Sequence, residues 1–371
     1  MPTLARVGGA AGTAGALEFV KTPLSALGQL MPHALGMTYW FDAPTTPGPH
    51  KVVLRLTGRR LDVDHDRVAA DDFVTTTTLS GIEQGSGRIA LTHRVAGKAA
   101  GRWHVTADAV VLPEKADHSE AVRLPSAERV GVSTFAPVAF MRAPGVVLGS
   151  WPAMVGLGVL LALVVQNTLA RAHGLPPGRL LLLALVASLL GAVGARAYYR
   201  LTHRKERGGV GLAGMSVQGF VIVATATFVV GGALQGAPVG HLLDGTIPAL
   251  LVGQGVGRLG CLLAGCCAGN PTRSRWAIWS SDRRVAARRV PVQLMESAAA
   301  GALALVAAVI SAQAPSPGGL LFAAGVAAYV AVRQLLFPLR GIPRSTRYGR
   351  QATLLLALVV LLGTMLVARL T

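Results

Sequence analysis

The sequence predicts an α-helical polytopic membrane protein of about seven transmembrane helices with an N-terminal β-sandwich domain. Of its 371 residues, 52% are hydrophobic and 14% are charged, a balance that favours an integral membrane protein over a soluble or disordered one. Residues 1–145 carry 15 Lys and Arg against 13 Asp and Glu, whereas residues 146–371 carry 20 against 4. The basic half is also the hydrophobic half. We therefore expect its positive charge to interact with a membrane and not with nucleic acid.

The front part of the chain has the pattern of short β-strands. Residues 1–30 form a poorly specified lead-in that lacks the strong apolar run of a signal peptide. Between Gly36 and Val111, runs rich in β-branched and aromatic residues recur at about ten-residue spacing and are separated by turn sequences such as Pro47-Gly48-Pro49. We interpret residues 31–145 as a small antiparallel β-sandwich, for which an immunoglobulin-like arrangement is one candidate.

Residues 146–371 contain seven hydrophobic segments, each close to the ~20 residues that cross a bilayer. These predicted spans cover residues 151–170, 180–199, 215–234, 241–262, 293–312, 318–336 and 351–368. We name the side that carries the N-terminal domain side A. Its loops hold 14 Lys and Arg, against three in the loops and tail of the opposite side B. By the positive-inside rule this count alone places side A in the cytoplasm, although loops that gather anionic lipid are also basic.

Polar side chains gather near the side A ends of the spans. They are Arg196 in the second span, Gln218 at the start of the third, Arg258 in the fourth, Glu296 in the fifth and Arg333 in the sixth. Ionisable residues at such depth are costly, so this shared level predicts a functional site. The alternative is that arginines near helix ends extend to the interface and bind lipid phosphate without chemistry.

Arg258 is the centre of the predicted site. Asp244 lies 14 residues earlier in the same span, about 21 Å away along a helix, so Glu296 is the expected partner of Arg258. Gly257 and Gly260 flank Arg258 and thin the helix surface, which leaves room for a lipid head group or a neighbouring backbone.

The three cysteines of the chain, Cys261, Cys266 and Cys267, lie within seven residues. Three interpretations stay open. They pack as small apolar side chains at a tight turn; or one is a nucleophilic or redox thiol whose pKa the surrounding arginines lower; or three thiolates hold zinc. Since no fourth ligand is evident nearby, we assign no metal on the pattern alone.

Short motifs of the hydrophobic half resemble, in the same order, those of the prolipoprotein diacylglyceryl transferase family. Gly257-Arg258-Leu259-Gly260 followed by Gly269 resembles the signature GRxGN…NGExxG, and Pro291-Val292-Gln293-Leu294-Met295-Glu296 resembles PxQLYE. Gly194-Ala195-Arg196 is similar to GGR/GAR, Gly214-Met215-Ser216-Val217-Gln218-Gly219 to GGMSxHGG, and Arg333 to Arg340 to RxxxExxR. The resemblance covers about residues 150–369 and none of the front domain.

The resemblance implies a multi-pass enzyme of the bacterial plasma (inner) membrane. Members transfer the diacylglyceryl group of phosphatidylglycerol to a prolipoprotein cysteine thiol and need no cofactor. The partners implied are therefore an anionic phospholipid and a prolipoprotein or other thiol acceptor. The implied catalytic residues are Arg258, Gln218, Arg333 and Glu296, and the implied substrate-binding residues are Arg196, Gly257, Gly260, Gly269, Gln293, Cys261 and Cys266.

Several positions depart from the family pattern. Gln218 replaces a histidine, Cys261 an asparagine, Cys266 a glutamate, Met295 a tyrosine and Phe337 a carboxylate. Glutamine cannot take a proton at neutral pH. Either the chain uses another base, or its acceptor thiol arrives ionised, or the reaction is lost. Two alternative functions follow: a catalytically silent lipid-binding membrane protein, and a thiol-dependent enzyme that uses the three cysteines.

Overall fold

The computed structural model describes residues 15–63, 71–114, 121–172, 176–202, 215–313, 318–341 and 347–370. The chain divides into two compact units. The β unit consists of Met1–Ser150 together with Cys261–Pro291 and Leu339–Gly341. The helical unit consists of Trp151–Gly260, Val292–Pro338 and Ile342–Thr371.

The described residues of the β unit form two antiparallel sheets. The strands are β1 (Ala16–Phe19), β2 (His33–Asp42), β3 (His50–Arg60), β4 (Phe73–Ile82), β5 (Arg88–Ala96), β6 (Arg102–Pro113), β7 (Val122–Arg123), β8 (Ala127–Val132), β9 (Thr134–Phe135), β10 (Ile278–Ser281) and β11 (Val285–Arg289), and a short helix α1 spans Ala136–Met141. The first sheet has the order β1-β2-β5-β11-β10, with β9 beside β2. The second has the order β4-β3-β6-β7, with β8 also beside β6.

The two sheets share one core, which confirms the predicted sandwich. In β3 every second residue is buried, as a strand with one covered face requires. Leu54 of β3 and Trp103 of β6 meet Leu35 and Tyr39 of β2 in this core, and each is at most 1% exposed. The second and fifth strands pair in one sheet, and the third and sixth pair in the other, which is the pairing of immunoglobulin sandwiches.

The first sheet contains a hairpin in a segment that was predicted as a loop between two spans. Strands β10 and β11 lie between two predicted spans, and β11 pairs with β5 so that Val285 faces Leu91. Val285 and Ala287 enter the sandwich core. Strand β11 has only five residues, two of them arginines, and its pairing with β5 joins the hairpin to the larger sheet. Strand β1 likewise begins inside the segment interpreted as lead-in.

Among the described residues, seven helices are long and apolar enough to cross a membrane, as predicted. They are α2 (Ser150–Ala172), α3 (Pro177–Thr202), α4 (Val217–Leu234), α5 (Val239–Leu263), α6 (Val292–Gln313), α7 (Leu320–Leu336) and α8 (Gly349–Leu370). Strands β5 and β11 belong to one sheet and must lie on one side of the membrane. The four helices α2–α5 between them in the chain satisfy this requirement, because an even number of crossings returns the chain to the same side.

Candidate functional site

A buried ion pair joins α5 to α6. The Nε atom of Arg258 lies 2.9 Å from Oε2 of Glu296, and the two side chains are 5% and 2% exposed. This is the partnership expected from their depths in the predicted spans. A charged group that leaves water needs a charged or hydrogen-bonded partner, so each residue fixes the other in place. Gln293, one turn before Glu296 in α6, is 1% exposed.

Helix α7 brings a second arginine to the level of Arg258. The hydroxyl of Tyr329 donates a hydrogen bond to Oε1 of Gln254, 3.3 Å away, and thereby joins α7 to α5. Arg258 lies four residues after Gln254 in α5, and Arg333 lies four residues after Tyr329 in α7. Each arginine is therefore about 6 Å further along its helix than the residue in this hydrogen bond. Because α5 and α7 run in the same direction, the half-buried Arg333 lies at the depth of the ion pair.

Arg196 and Gln218 lie at one junction between α3 and α4. The Ser216 backbone N–H donates to the carbonyl of Ala195, the neighbour of Arg196, at 3.0 Å. The Ser216 hydroxyl donates to Oε1 of Gln218 at 3.1 Å. Gln218 is exposed, whereas Arg196 is half-buried. Ser216 therefore links Gln218, at the start of α4, to the backbone next to Arg196.

The glycines on either side of Arg258 differ in their surroundings. A Cβ atom added at Gly260 would lie 2.8 Å from Cβ of Met154 in α2, so Gly260 allows two helices to approach closely. A Cβ atom added at Gly257 would meet nothing within 4 Å. Of the two, Gly257 has open space for a ligand, while Gly260 serves helix packing.

Asp244 lies near the start of α5, far from Arg258, and binds the start of α7. Its carboxylate accepts the backbone N–H groups of Gly319 at 2.8 Å and Phe322 at 2.9 Å, where α7 begins. A negative charge at a helix N-terminus satisfies orphan donors and opposes the positive end of the helix dipole. Asp244 is therefore a helix cap, in agreement with its exclusion as the partner of Arg258.

The cysteines lie at the C-terminal cap of α5. The Gly265 N–H donates to the Leu262 carbonyl at 3.2 Å, and the Cys266 N–H donates to the Cys261 carbonyl at 3.0 Å. With Gly265 at a φ of +63°, this is a Schellman motif. The three Sγ atoms lie within 4.8 Å of one another.

The protonation of this cluster differs from one expectation. One interpretation of the sequence is a thiol whose pKa is lowered by nearby arginines. Instead, hydrogen bonds with Cys261 and Cys267, together with burial, raise the pKa of Cys266. Close neighbours of the same kind disfavour a thiolate more than distant positive charges favour it. A lowered thiol pKa was one of the three open interpretations, and for Cys266 the direction is the opposite.

Two arginines of the hairpin hold the segment that follows the cysteines. Arg283 donates from Nε to the Ala264 carbonyl at 2.9 Å, and Arg289 donates from Nη1 to the Gly269 carbonyl at 3.0 Å. Arg289 also pairs with Asp282 at 2.9 Å. Burial lowers the pKa of Arg289, and Asp282 opposes that shift. Gly269 thus belongs to a backbone segment that is held by hydrogen bonds from these two arginines.

Sequence reasoning missed these hairpin arginines because it counted them only as loop charges. A signal was present, since two short β-like runs flank the turn residues Asp282, Arg283 and Arg284. Gly269 also forms an isolated antiparallel bridge with Arg340, the last residue of the segment that resembles RxxxExxR. The structure therefore brings together Gly269 and Arg340, which are 71 residues apart in the sequence.

Comparison with known proteins places these features in one family. A family model described as prolipoprotein diacylglyceryl transferase matches residues 137–369. The chain is 27% identical over 212 residues to a phosphatidylglycerol-prolipoprotein diacylglyceryl transferase of Clostridium tetani, covering 54% of this chain and 84% of that protein. A protein of the same name from Dehalococcoides mccartyi is 39% identical over 83 residues, which are 22% of this chain and 31% of that protein.

A third relative, phosphatidylglycerol-prolipoprotein diacylglyceryl transferase 2 of Clostridium perfringens, is 30% identical over 162 residues. The match covers 40% of this chain and 60% of that protein. The family match begins at residue 137, so it takes in the helical unit and the hairpin but not strands β1–β9. This chain belongs to the prolipoprotein diacylglyceryl transferase family.

Proposed function

We propose that this chain transfers the diacylglyceryl group of phosphatidylglycerol to the cysteine thiol of a prolipoprotein and releases glycerol phosphate. Its family and the names of its relatives support the reaction class and the substrates. The observation that carries the proposal is the buried ion pair of Arg258 and Glu296, which links the segment that resembles GRxGN to the segment that resembles PxQLYE. The bacterial plasma (inner) membrane is the proposed location.

The arginines supply the positive charge that the reaction needs. Arg258 is the proposed phosphate clamp, and Arg196 and Arg333 add positive charge to the site. A guanidinium presents several donors in a rigid fork that fits phosphate oxygens. Glu296 orients this fork through its contact with Nε. Because the pair is almost fully buried, its field acts on the departing phosphate with little screening by water.

The transfer is a substitution at carbon. The acceptor sulfur forms a bond to the glyceryl carbon of the lipid as the bond from that carbon to the phosphate oxygen breaks. The electron pair leaves with the phosphate, and the products are a thioether and glycerol phosphate. Gln218 contacts the substrate in this proposal, but it cannot accept the thiol proton at neutral pH, so that proton must leave by another route.

Replacement of Arg258 tests the proposal directly. In a transfer assay with radiolabelled phosphatidylglycerol and a lipobox peptide, we expect R258A to lose at least about 10²–10³-fold in turnover, as removal of a key electrostatic contact does. R258K keeps the charge beside Glu296 and should also fail, since an ammonium lacks the fork geometry. R179A is the matched control. It removes an exposed arginine near the start of α3, at the end of that helix opposite to Arg196. Wild-type turnover in R258A and R258K would contradict the assignment.

A silent lipid-binding protein is the second candidate, and the substituted histidine and tyrosine positions favour it. It predicts that the wild-type chain binds phosphatidylglycerol vesicles without transferring label to the peptide. A thiol-dependent enzyme is the third candidate, which predicts inactivation by alkylating agents. Full activity of a variant without cysteines would dismiss it.

The orientation of the β unit provides an independent test. Exported prolipoproteins are available on the outer face, so the proposed function requires side A, with the β unit, to face outward. We expect protease added to intact cells to digest the β unit. Protection until the cells are permeabilised would turn the site toward the cytoplasm and would exclude the modification of exported prolipoproteins.

A further inference from the structure

The three cysteines have nearly the spacing of a metal site. Their Sγ atoms all lie within 4.8 Å of one another. Two zinc–sulfur bonds of about 2.3 Å at a tetrahedral angle place the sulfurs about 3.8 Å apart. Small rotations of the side chains, which close about 1 Å, therefore bring the three sulfurs onto a common ion. Cys261 is buried, and Cys266 and Cys267 are half-buried.

The backbone is shaped to make the three side chains converge. The Schellman motif at the end of α5 sets Cys266 against Cys261, the two positions that such a cap brings into contact. Cys267 then takes a left-handed φ of +55°, which costs a residue with a Cβ atom about 1–2 kcal/mol. Among the described non-glycine residues, Arg283 is the other one with positive φ, and it donates to Ala264 in the same turn. Such strain concentrates at functional sites.

The surroundings also suit a negatively charged metal complex. Zinc bound by three thiolates has a net charge of −1. The guanidinium groups of Arg283 and Arg289 donate to the carbonyls of Ala264 and Gly269, on either side of the cysteine pair Cys266-Cys267. Arg283 therefore brings a positive charge to the segment that carries the cysteines, whereas the charge of Arg289 is paired with Asp282.

We propose that Cys261, Cys266 and Cys267 bind zinc as thiolates and leave a fourth position that receives the thiol of the acceptor substrate. Three protein ligands with one open position are the arrangement of catalytic zinc, and thiolates favour soft metals. This inference rests on the proposed function and names its acceptor site. Cys261 follows Arg258 by three residues in the sequence of α5.

A zinc ion here answers the proton problem left by Gln218. A thiol that coordinates zinc is deprotonated, and its proton passes to water. The zinc-bound sulfur then forms the bond to the glyceryl carbon, and the carbon–oxygen bond to the phosphate breaks with its electron pair on the oxygen. The thioether product carries no negative charge and leaves the metal. Zinc undergoes no redox change, so the step needs no oxidant or reductant.

Metal analysis of the full chain in detergent tests the site. We expect one equivalent of zinc per chain after incubation with zinc and dialysis, and a tetrahedral thiolate spectrum when cobalt(II) replaces zinc. C261S, C266S and C267S should each weaken zinc binding more than about 100-fold, because even outer-shell changes cost about 10–100-fold. H241A removes an exposed potential ligand elsewhere and should keep the full equivalent. A lipobox peptide should shift the cobalt spectrum, and its Cys→Ser form should not.

The outcomes separate the two proposals. Zinc binding without transfer in the wild type would leave the metal site standing and would overturn the transferase function. Equal transfer by the wild type and by a cysteine-free variant would leave the function standing and overturn this inference. Three other results would also overturn this inference. The first is a chain that lacks stoichiometric zinc and whose three thiols all react with a thiol reagent in the presence of zinc. The others are a disulfide within the cluster and a site that holds only copper(I).

Discussion

Removing the charge of Glu296 while keeping its shape tests whether the ion pair has the buried character that the site requires. In E296Q the guanidinium of Arg258 keeps its charge but loses its carboxylate partner, in a place where the two side chains are 5% and 2% exposed. Two unit charges about 4 Å apart at an effective dielectric constant of about 20 attract by about 4 kcal/mol. Breaking a buried pair from one side costs about 3–5 kcal/mol, so we expect a loss of that size in unfolding free energy.

A double-mutant cycle measures this coupling. Unfolding of the full chain by SDS in mixed micelles, followed by helical circular dichroism, gives the free energies of the wild type, E296Q, R258Q and the double variant. The double variant should lose much less than the sum of the single variants, since it leaves no unpaired charge. A loss under about 1 kcal/mol in E296Q, or additive losses, would refute the reasoning, because pairs open to water contribute about 0–1 kcal/mol.

Three further predictions concern packing, capping and pH. G257A should gain up to about 1 kcal/mol of unfolding free energy, since alanine favours a helix and the new methyl group meets nothing within 4 Å. G260A should lose about 1–3 kcal/mol of unfolding free energy, because its new methyl group clashes with Met154. Equal shifts of the two variants in the same SDS titration would contradict this difference. D244A should lose about 1–3 kcal/mol because two half-buried N–H groups at the start of α7 lose their acceptor, while the KM for lipid stays unchanged; a raised KM would place Asp244 in the substrate site. Burial lowers the pKa of His93, so the folded state prefers the neutral ring and stability should fall as the pH drops below about 6.5; thermal melts of H93Q should lack this component, and a wild type that is stabilised in acid would contradict it.

The helical unit was predictable because its signals are local. A run of about 20 apolar residues identifies a span without knowledge of its neighbours. The pairing of Glu296 with Arg258 followed from depth alone, since both residues lie near the same ends of their spans. The sandwich was predictable in outline because its front strands alternate and are separated by turns.

The remaining features depend on contacts between distant segments. Strands β10 and β11 have only four and five residues, and the pairing of β11 with β5 makes them part of the larger sheet. The different uses of Gly257 and Gly260 depend on Met154, which no spacing rule relates to them. The convergence of the three cysteines depends on a helix cap and a left-handed residue, which are properties of backbone conformation and not of the sequence pattern.

The pairing of β5 with β11 imposes an order on biosynthesis. Strand β5 must wait for a partner that emerges roughly 190 residues later, which is about 10–40 s of synthesis at typical rates. During that interval its edge offers unpaired backbone groups to other chains, a known route to aggregation. The hairpin can reach this edge only if the four intervening helices have crossed the membrane with the correct parity. Completion of the sheet therefore depends on correct insertion, because a chain that skips one crossing keeps an open edge at β5.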